Sequence, residues 1–326
     1  MSGGRESAPS PAPARRRRRR SGLCAAGLLA ALFGLAAPLL TPLWLGFDVF
    51  SHFTVHFLIL AVACALGLLT RAGARLAAPV ALAGVLALAF WAHRHDSPGF
   101  SAPSPPGRIR VMTFNTWNRN HDIGAIAAEI RRQRPDIIGM MEFGRDKPRI
   151  FSMLKKELPH SANCVDLPYC FLGFMSRWPI EKVTARSLWL GPPYLHAIVR
   201  TPQGPLHVFV VHTMRFPWMG SQMKQVQAMA RLVRRARGPK IVMGDFNSTI
   251  FSVVLRAFAK GSRLRLRTFL PSWPAWAAGL PQLGIDHIFA SPRLKTVAGP
   301  FLGASSGSDH FPVIVELAFP GAEAAD

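Results

Sequence analysis

The chain has 326 residues, room for a membrane segment and one domain of ordinary size. Its formal net charge of +22 favours anionic partners (nucleic acid, phospholipid head groups or phosphorylated small molecules), although an arginine-rich proteome would give part of the same excess. Four cysteines, at spacings that fit no familiar metal site, argue against a cysteine-built metal module.

Residues 1–14 are rich in Ser, Pro, Gly and Ala and read as disordered. Arg15 to Arg20 carry the basic tail on to residue 20. A charge run is usually a solvated tail, and nucleic-acid binding in the cytoplasm is its sharper alternative. Its place decides otherwise, because an apolar stretch from Leu23 to about Phe50 follows at once, long enough to cross a bilayer. Two further stretches, about Phe53 to Leu69 and Leu76 to Trp91, are near the short limit for a span. Arg71 and Arg75 separate them, whereas the preceding connection holds Asp48 and His52 and no Lys or Arg. Three transmembrane helices over residues 21–92, with the N-terminus in the cytoplasm and the C-terminal domain outside, satisfy that asymmetry. A cleaved signal peptide in place of the first span puts the domain on the same side. Buried helices of a soluble fold are the bland alternative, disfavoured by the near absence of charge. Residues 93–107, rich in Ser, Pro and Gly, read as a linker. A globular domain then occupies 108–319, and 320–326 form a tail.

Within that domain, short apolar runs ending in a polar residue recur: Arg108 to Asn115, Asp136 to Glu142, Leu206 to His212, Lys240 to Asp245 and Asp286 to Ser291. In Asp309 to Leu317 the polar pair leads the run. Such lengths, rich in Val, Ile and Phe, indicate buried strands. Ile123, Ile126, Ala127 and Ile130 form a helical apolar face with Asp122 as N-cap and Pro135 beyond the end, and Val226, Met229, Ala230 and Val233 repeat the pattern after Ser221. Strands alternating with helices make a layered α/β domain. Cys164 and Cys170 flank VDLPY and could pair in an oxidising compartment, a point the spacing leaves open.

The strand tips carry Asn115, Glu142, His212, Asp245, Asn247, Asp286, Asp309 and His310. Carboxylates and amides are hard oxygen ligands that suit Mg²⁺ or Mn²⁺ better than zinc. Singly, each has an ordinary explanation: a surface acid, a core histidine, a loop-capping pair. The GDFN turn at Gly244 to Asn247 is more specific, since Gly permits a tight turn and Asp projects from the strand. Together, the set matches the needs of metal-assisted phosphate hydrolysis.

The order of TFNTW, IIGMMEF, FMSRWPI, VVHT, VMGDFNST, GIDHIFAS and GSDHFPVIVEL resembles the endonuclease/exonuclease/phosphatase superfamily, with its pancreatic deoxyribonuclease-like fold, over residues 108–319. The resemblance implies a four-layer α/β/β/α sandwich with its site at one end. It implies that Glu142 holds the divalent metal, with Asn115 and Asp309 close by. Asp245 would orient or deprotonate the attacking water, and Asn247 and His212 would contact the phosphate. His310, paired with Asp286, would stabilise the phosphate as a cation. Membrane-anchored bacterial relatives share this layout, which implies an inner-membrane protein with a periplasmic or extracellular catalytic domain. Met141 departs from the pattern, where many relatives carry Gln, and bears on support for Glu142. The segment Pro271 to Pro281, with Trp273 and Trp276, is either packing or a lip for lipid or a hydrophobic substrate. The expected partners are a phosphate-ester substrate (nucleic acid, phospholipid or small molecule) and the lipid bilayer, with no obligate protein partner evident. A catalytically inactive binding module with the same fold is the rival class, opposed by the presence of all eight residues.

Overall fold

The computed structural model describes residues 12–69, 71–187, 192–277 and 282–321. Helix α1 (Ala12–Ala36) takes in the arginine run, where the sequence suggested a disordered tail to residue 20. Arginine is a good helix former, and the run leads directly into an apolar helix that propagates back through it. The first part of that tail, 1–11, lies outside the described residues. A 3-10 segment (Leu45–Phe53) leads into α2 (Thr54–Leu69), and α3 (Arg71–His93) follows. Two segments, Ser21–Leu40 and Leu45–Leu69, are long and apolar enough to cross a membrane, rather than the three expected. The third apolar stretch, Arg75–Trp91, is a shorter apolar helix. The helices pack antiparallel and closely: a Cβ on Gly34 would strike the Phe57 ring at 2.5 Å, and one on Gly84 would meet Ile59 at 3.2 Å.

The stretch expected to be a free linker is pinned to the globular domain. Ser97 N donates to Leu302 O (2.7 Å), Leu302 N to His95 O (2.8 Å) and Phe100 N to Arg132 O (3.0 Å). Its Pro and Ser residues set turns that follow the surface, and Ser104 Oγ donates to Asp136 Oδ2 (2.5 Å).

The domain is two six-stranded sheets face to face. The first holds β1 (Arg108–Asn115), β2 (Ile137–Met141), β3 (His160–Asn163), β4 (Leu172–Ser176), β11 (Lys295–Leu302) and β12 (Val313–Ala318), in the order β11-β12-β1-β2-β4-β3. The second holds β5 (Ile180–Arg186), β6 (Tyr194–Thr201), β7 (Gly204–His212), β8 (Lys240–Asp245), β9 (Arg265–Leu266) and β10 (Asp286–Ala290), in the order β5-β6-β7-β8-β10-β9. Period-two alternation splits each central strand between two cores. Ile109 and Val111 of β1 face Val208, Val210, Ile241 and Met243 in the space between the sheets. Met112 and Phe114 point the other way, onto Ile126, Ala127 and Ile130 of α4 (Ile123–Gln133), beside the short α5 (Arg149–Met153). Phe209, Val242 and Phe289 of the second sheet meet α6 (Met219–Arg235) and α7 (Val253–Ser262). The layers are therefore α/β/β/α, as expected. Asp122 caps α4 by accepting from Ala125 N (2.8 Å), as the sequence suggested.

The parallel pairs β1/β2 and β7/β8 lie in the middle of their sheets, and their register lines up the polar tips. Asn115 stands beside Met141, next to Glu142, while His212 and Asp286 flank Asp245 on either side. The last strand starts at Val313 rather than Asp309, which leaves Asp309 and His310 in the loop that crosses the same end. Cys164 and Cys170 form a disulfide with a Cα–Cα separation of 5.5 Å.

Candidate active site

All eight singled-out residues meet at this end of the sandwich. Asp245 is central and only 2% exposed. Its Oδ1 accepts from Asn247 N (2.8 Å), which ties the turn of GDFN to the carboxylate. Its Oδ2 accepts from Asn115 Nδ2 (3.1 Å) and faces His212 Nε2 at 3.6 Å and His310 Nε2 at 3.9 Å. Asn115 bridges on to Glu142 Oε1 (3.3 Å), while its own oxygen accepts from Trp117 N (3.0 Å). As placed, Asn115 gives its NH₂ to the two carboxylates, and its oxygen accepts from the backbone. Asn247 Nδ2 donates to Thr213 O (2.9 Å), directing the amide beside His212.

Glu142 is half-buried, and its Oε2 accepts from Asn118 N (3.0 Å). The side chain before it, Met141, is buried in the inter-sheet core and gives the carboxylate nothing. Support comes from below instead, where fully buried Lys147 donates to the carbonyls of Trp117 (2.6 Å) and Glu142 (3.0 Å). Burial lowers the Lys147 pKa to about 8 against the pull of Asp146 and Glu142. Three residues around the cleft, Trp117, Glu142 and Asn247, hold φ between +47° and +51°. For non-glycine residues that conformation is strained, and such strain gathers at functional sites.

His310 Nδ1 lies 2.7 Å from Asp286 Oδ2, and Ser272 Oγ donates to the same oxygen (2.6 Å). Ser308 Oγ donates to Asn115 O (2.7 Å) and accepts from His310 N (3.1 Å), which fixes the imidazole against the first sheet. Burial opposes the imidazolium, but Asp286, Asp245 and Asp309 outweigh it and raise the His310 pKa to about 9. Burial and the neighbouring Asp286 push Asp245 up to about 6, against the pull of His310 and His212. Burial raises the Asp309 pKa as well. Burial also works against the Glu142 carboxylate, but His212, the Asn118 amide, Asn115 and His310 outweigh it and keep its pKa below the ordinary value. The Asp245 and His310 values are raised together, and with Asp245 near 6 and His310 near 9 the adjacent pair stands as carboxylate and imidazolium at neutral pH.

Glu142, His212, Asp245, Asn247, Asp309 and His310 line a cleft of about 1090 Å³, with Asn115 and Asp286 behind them. Asp245, Asp286 and His310 bring ligand atoms within 4.8 Å of one another, but Asp286 and His310 are already committed to their mutual bond. Trp273 Nε1 donates to Asp309 Oδ2 (3.3 Å), so one part of the aromatic lip belongs to the site, while Trp276 is exposed and residues 278–281 lie outside the described residues. Ser272, Lys147 and Asn118 are site residues that the sequence did not single out. Ser308 was within reach, as the residue just before the Asp309 motif.

Residues 112–310 match the endonuclease/exonuclease/phosphatase family, more than half of the chain. The chain belongs to the endonuclease/exonuclease/phosphatase family. As a member, it is a phosphoester hydrolase. Its fold is similar to that of an endonuclease/exonuclease/phosphatase from Beutenbergia cavernae DSM 12333, with a TM-score of 0.54 and 21% identity, covering 66% of this chain and 72% of that one. A family protein from Bacteroides thetaiotaomicron gives 0.52 and 19%, with 66% and 96% covered. Sphingomyelinase C from Streptomyces griseocarneus gives 0.50 and 15%, with 65% and 99% covered. At these identities the likeness is one of fold. No curated protein matches the chain in sequence.

Proposed function

We propose that this family member is a membrane-anchored phosphoesterase that depends on Mg²⁺ or Mn²⁺. The observation that carries the reading is the shared cleft: a buried aspartate 3.9 Å from an imidazole that a second aspartate keeps cationic. The donor set fits a hard divalent cation. Asp309 Oδ1 is buried with no hydrogen-bond partner among the described residues, and Asp309 faces the Glu142 charge. Glu142 and Asp309 would hold the ion, with Asn115 setting the spacing of the acids. When bound, it supplies positive charge to phosphate oxygens.

The chain's own groups do the rest. Asp245 accepts a proton from, or aligns, the attacking water, its carboxylate fixed by the Asn247 and Asn115 donors. His212 and the Asn247 amide face the space beside it and donate to phosphate oxygens. His310, held as imidazolium by Asp286, places a cation where negative charge builds up, and can give its Nε2 proton to a phosphate oxygen or the leaving group.

Anchoring is supported by surface as well as length. Leu43 is 82% exposed and Leu29, Leu69 and Phe90 are mostly exposed, which water would penalise and lipid would not. Both Leu45–Phe53 and residues 95–104 rest on the catalytic domain. Helix α3, packed back along α2 although its apolar stretch is the shortest of the three, returns the chain to that end, so the domain lies on the side where the connection between α1 and α2 emerges. The arginine run at the other end of α1 favours the cytoplasm for the N-terminus, which puts catalysis outside, in the periplasm or extracellular space.

Full-length protein in detergent should cleave bis(4-nitrophenyl) phosphate with Mg²⁺ or Mn²⁺ and stop on adding EDTA. Asp245→Ala and His310→Ala should each lose roughly 100-fold or more in kcat. Wild-type rates in both variants would refute the assigned roles.

A further inference from the structure

The cleft is not built by the catalytic domain alone. Val49, His52 and Phe53, from the connection Leu45–Phe53 between α1 and α2, line it together with Phe216 and Trp218. This connection is locked in place. Asp48 is fully buried, its Oδ1 accepts from Val253 N (3.0 Å), and Ser252 Oγ donates to its Oδ2. It thereby serves the N-terminus of α7 from another part of the chain. His52 Nδ1 accepts from Thr249 N (3.2 Å), two residues after Asn247. One turn on, His56 Nε2 meets Gln282 Oε1 (3.2 Å) next to the Trp273 side of the rim. The 3-10 segment and the first turn of α2 therefore touch the active-site rim on two sides.

We infer that this arrangement sets the cleft mouth on the bilayer surface, and that the substrate is a phosphate ester carried by a membrane lipid. Phe53 is both a wall of the cleft and the last residue before α2. Helix α2, with 16 residues, is about 24 Å long by its rise, less than the ~30 Å of a hydrocarbon core. A helix this short holds its flanking residues close to the hydrocarbon, so the rim tied to its first turn is drawn against the bilayer surface. At that level the rim presents Phe53, Phe216 and Trp218, exposed by 40, 51 and 62%, as an apolar collar around a charged floor. Aromatic side chains favour that interface. A lipid phosphate can reach the floor while its tails stay in the membrane. A soluble nucleic acid would have to enter between this collar and the bilayer. Arg119, Arg145 and Arg215 on the cleft walls supply charge for an anionic head group.

The inference rests on the phosphoesterase reading, and the test separates the two. Full-length protein is reconstituted into phosphatidylcholine vesicles carrying phosphatidylglycerol, phosphatidic acid and phosphatidylinositol phosphate. Water-soluble phosphate or head group released with Mg²⁺ or Mn²⁺ is compared with cleavage of bis(4-nitrophenyl) phosphate and of plasmid DNA at low salt. Lipid turnover is expected, with DNA untouched. In Phe216→Ser/Trp218→Ser and in Phe53→Ser, the ratio of vesicle rate to soluble-diester rate should fall at least ~10-fold, through a higher KM for surface lipid, because an apolar collar lost from the interface weakens docking rather than chemistry. Inert vesicles with cleavage of the soluble diester or of DNA would overturn the lipid assignment and leave the phosphoesterase standing. An unchanged ratio in the variants would overturn the role of the collar. No turnover of any of the three probes would overturn the phosphoesterase reading itself, and this inference with it.

Discussion

Asp286 never reaches the open cleft, yet its charge adds to burial in raising the Asp245 pKa and outweighs burial in raising that of His310. With Asp245 near 6 and His310 near 9, kcat/KM should rise as pH climbs through about 6, where the base loses its proton, and fall through about 9, where the imidazolium is lost. Removing the Asp286 charge favours ionised Asp245 and disfavours cationic His310, so both values move down. Asp286→Asn should therefore shift the acid limb to lower pH and bring the alkaline limb toward the ordinary histidine range. The check is a pH–rate series at constant metal concentration, and limbs that stay put would exclude the pairing. At this scale the sequence was unusually readable. Asp245, His310 and Glu142 stand at strand ends or in loops beside them, where register alone brings them together. Lys147 and Ser272 were not readable, because each acts through a backbone carbonyl or a neighbouring carboxylate. A lone Lys or Ser in a loop shows no such partner until the chain has folded.

Strands β7 and β8 approach most closely at Gly244, whose φ is +149° and where a Cβ would lie 1.9 Å from the Val211 carbonyl oxygen. Backbone cannot yield there, and His212 and Asp245 are the neighbouring residues on the two strands. Gly244→Ala should lower stability by roughly 3 kcal/mol or more and abolish turnover by spreading those two side chains. Gly139 makes a useful contrast. A Cβ there would meet Met243 Sδ at 2.7 Å, Met243 Cγ at 2.8 Å and Val210 Cγ2 at 2.9 Å, side-chain atoms of the core that can repack rather than backbone. Gly139→Ala should cost only about 1–2 kcal/mol and leave the site working. Denaturant midpoints and diester rates of the two full-length variants in detergent test the distinction, and equal losses would contradict it. The central strands were legible because both of their faces are buried and their sequences are continuous apolar runs. The strand β5 was not: Ile180–Arg186 is an edge strand with Glu181, Lys182 and Arg186 on its surface, and its pattern IEKVTAR resembles a solvated loop. Helix α7 was hidden for a different reason, since part of its N-terminal capping comes from Asp48, some 200 residues earlier in the chain.

Across the whole molecule, the thiols test which side of a membrane the domain would occupy in the proposed arrangement. Cys164 and Cys170 are bonded in the catalytic domain, whereas Cys24 and Cys64 are free in the apolar helices. A disulfide of this kind persists only where the surroundings are oxidising. Closing so short a loop also restricts the unfolded chain, by about 2 kcal/mol in the chain-entropy treatment. The placement derived from Asp48, from the pinned residues 95–104 and from the arginine run therefore makes a chemical prediction. Protein trapped from its native membrane in acid, denatured and alkylated without reductant should take up label on two cysteines, and on four after reduction. Reduction should lower its resistance to denaturant by about the amount given above. Four labelled cysteines before reduction would place the domain on the reducing side. The arginine run could not then be the orienting signal, and the lipid facing the cleft would be that of the inner leaflet.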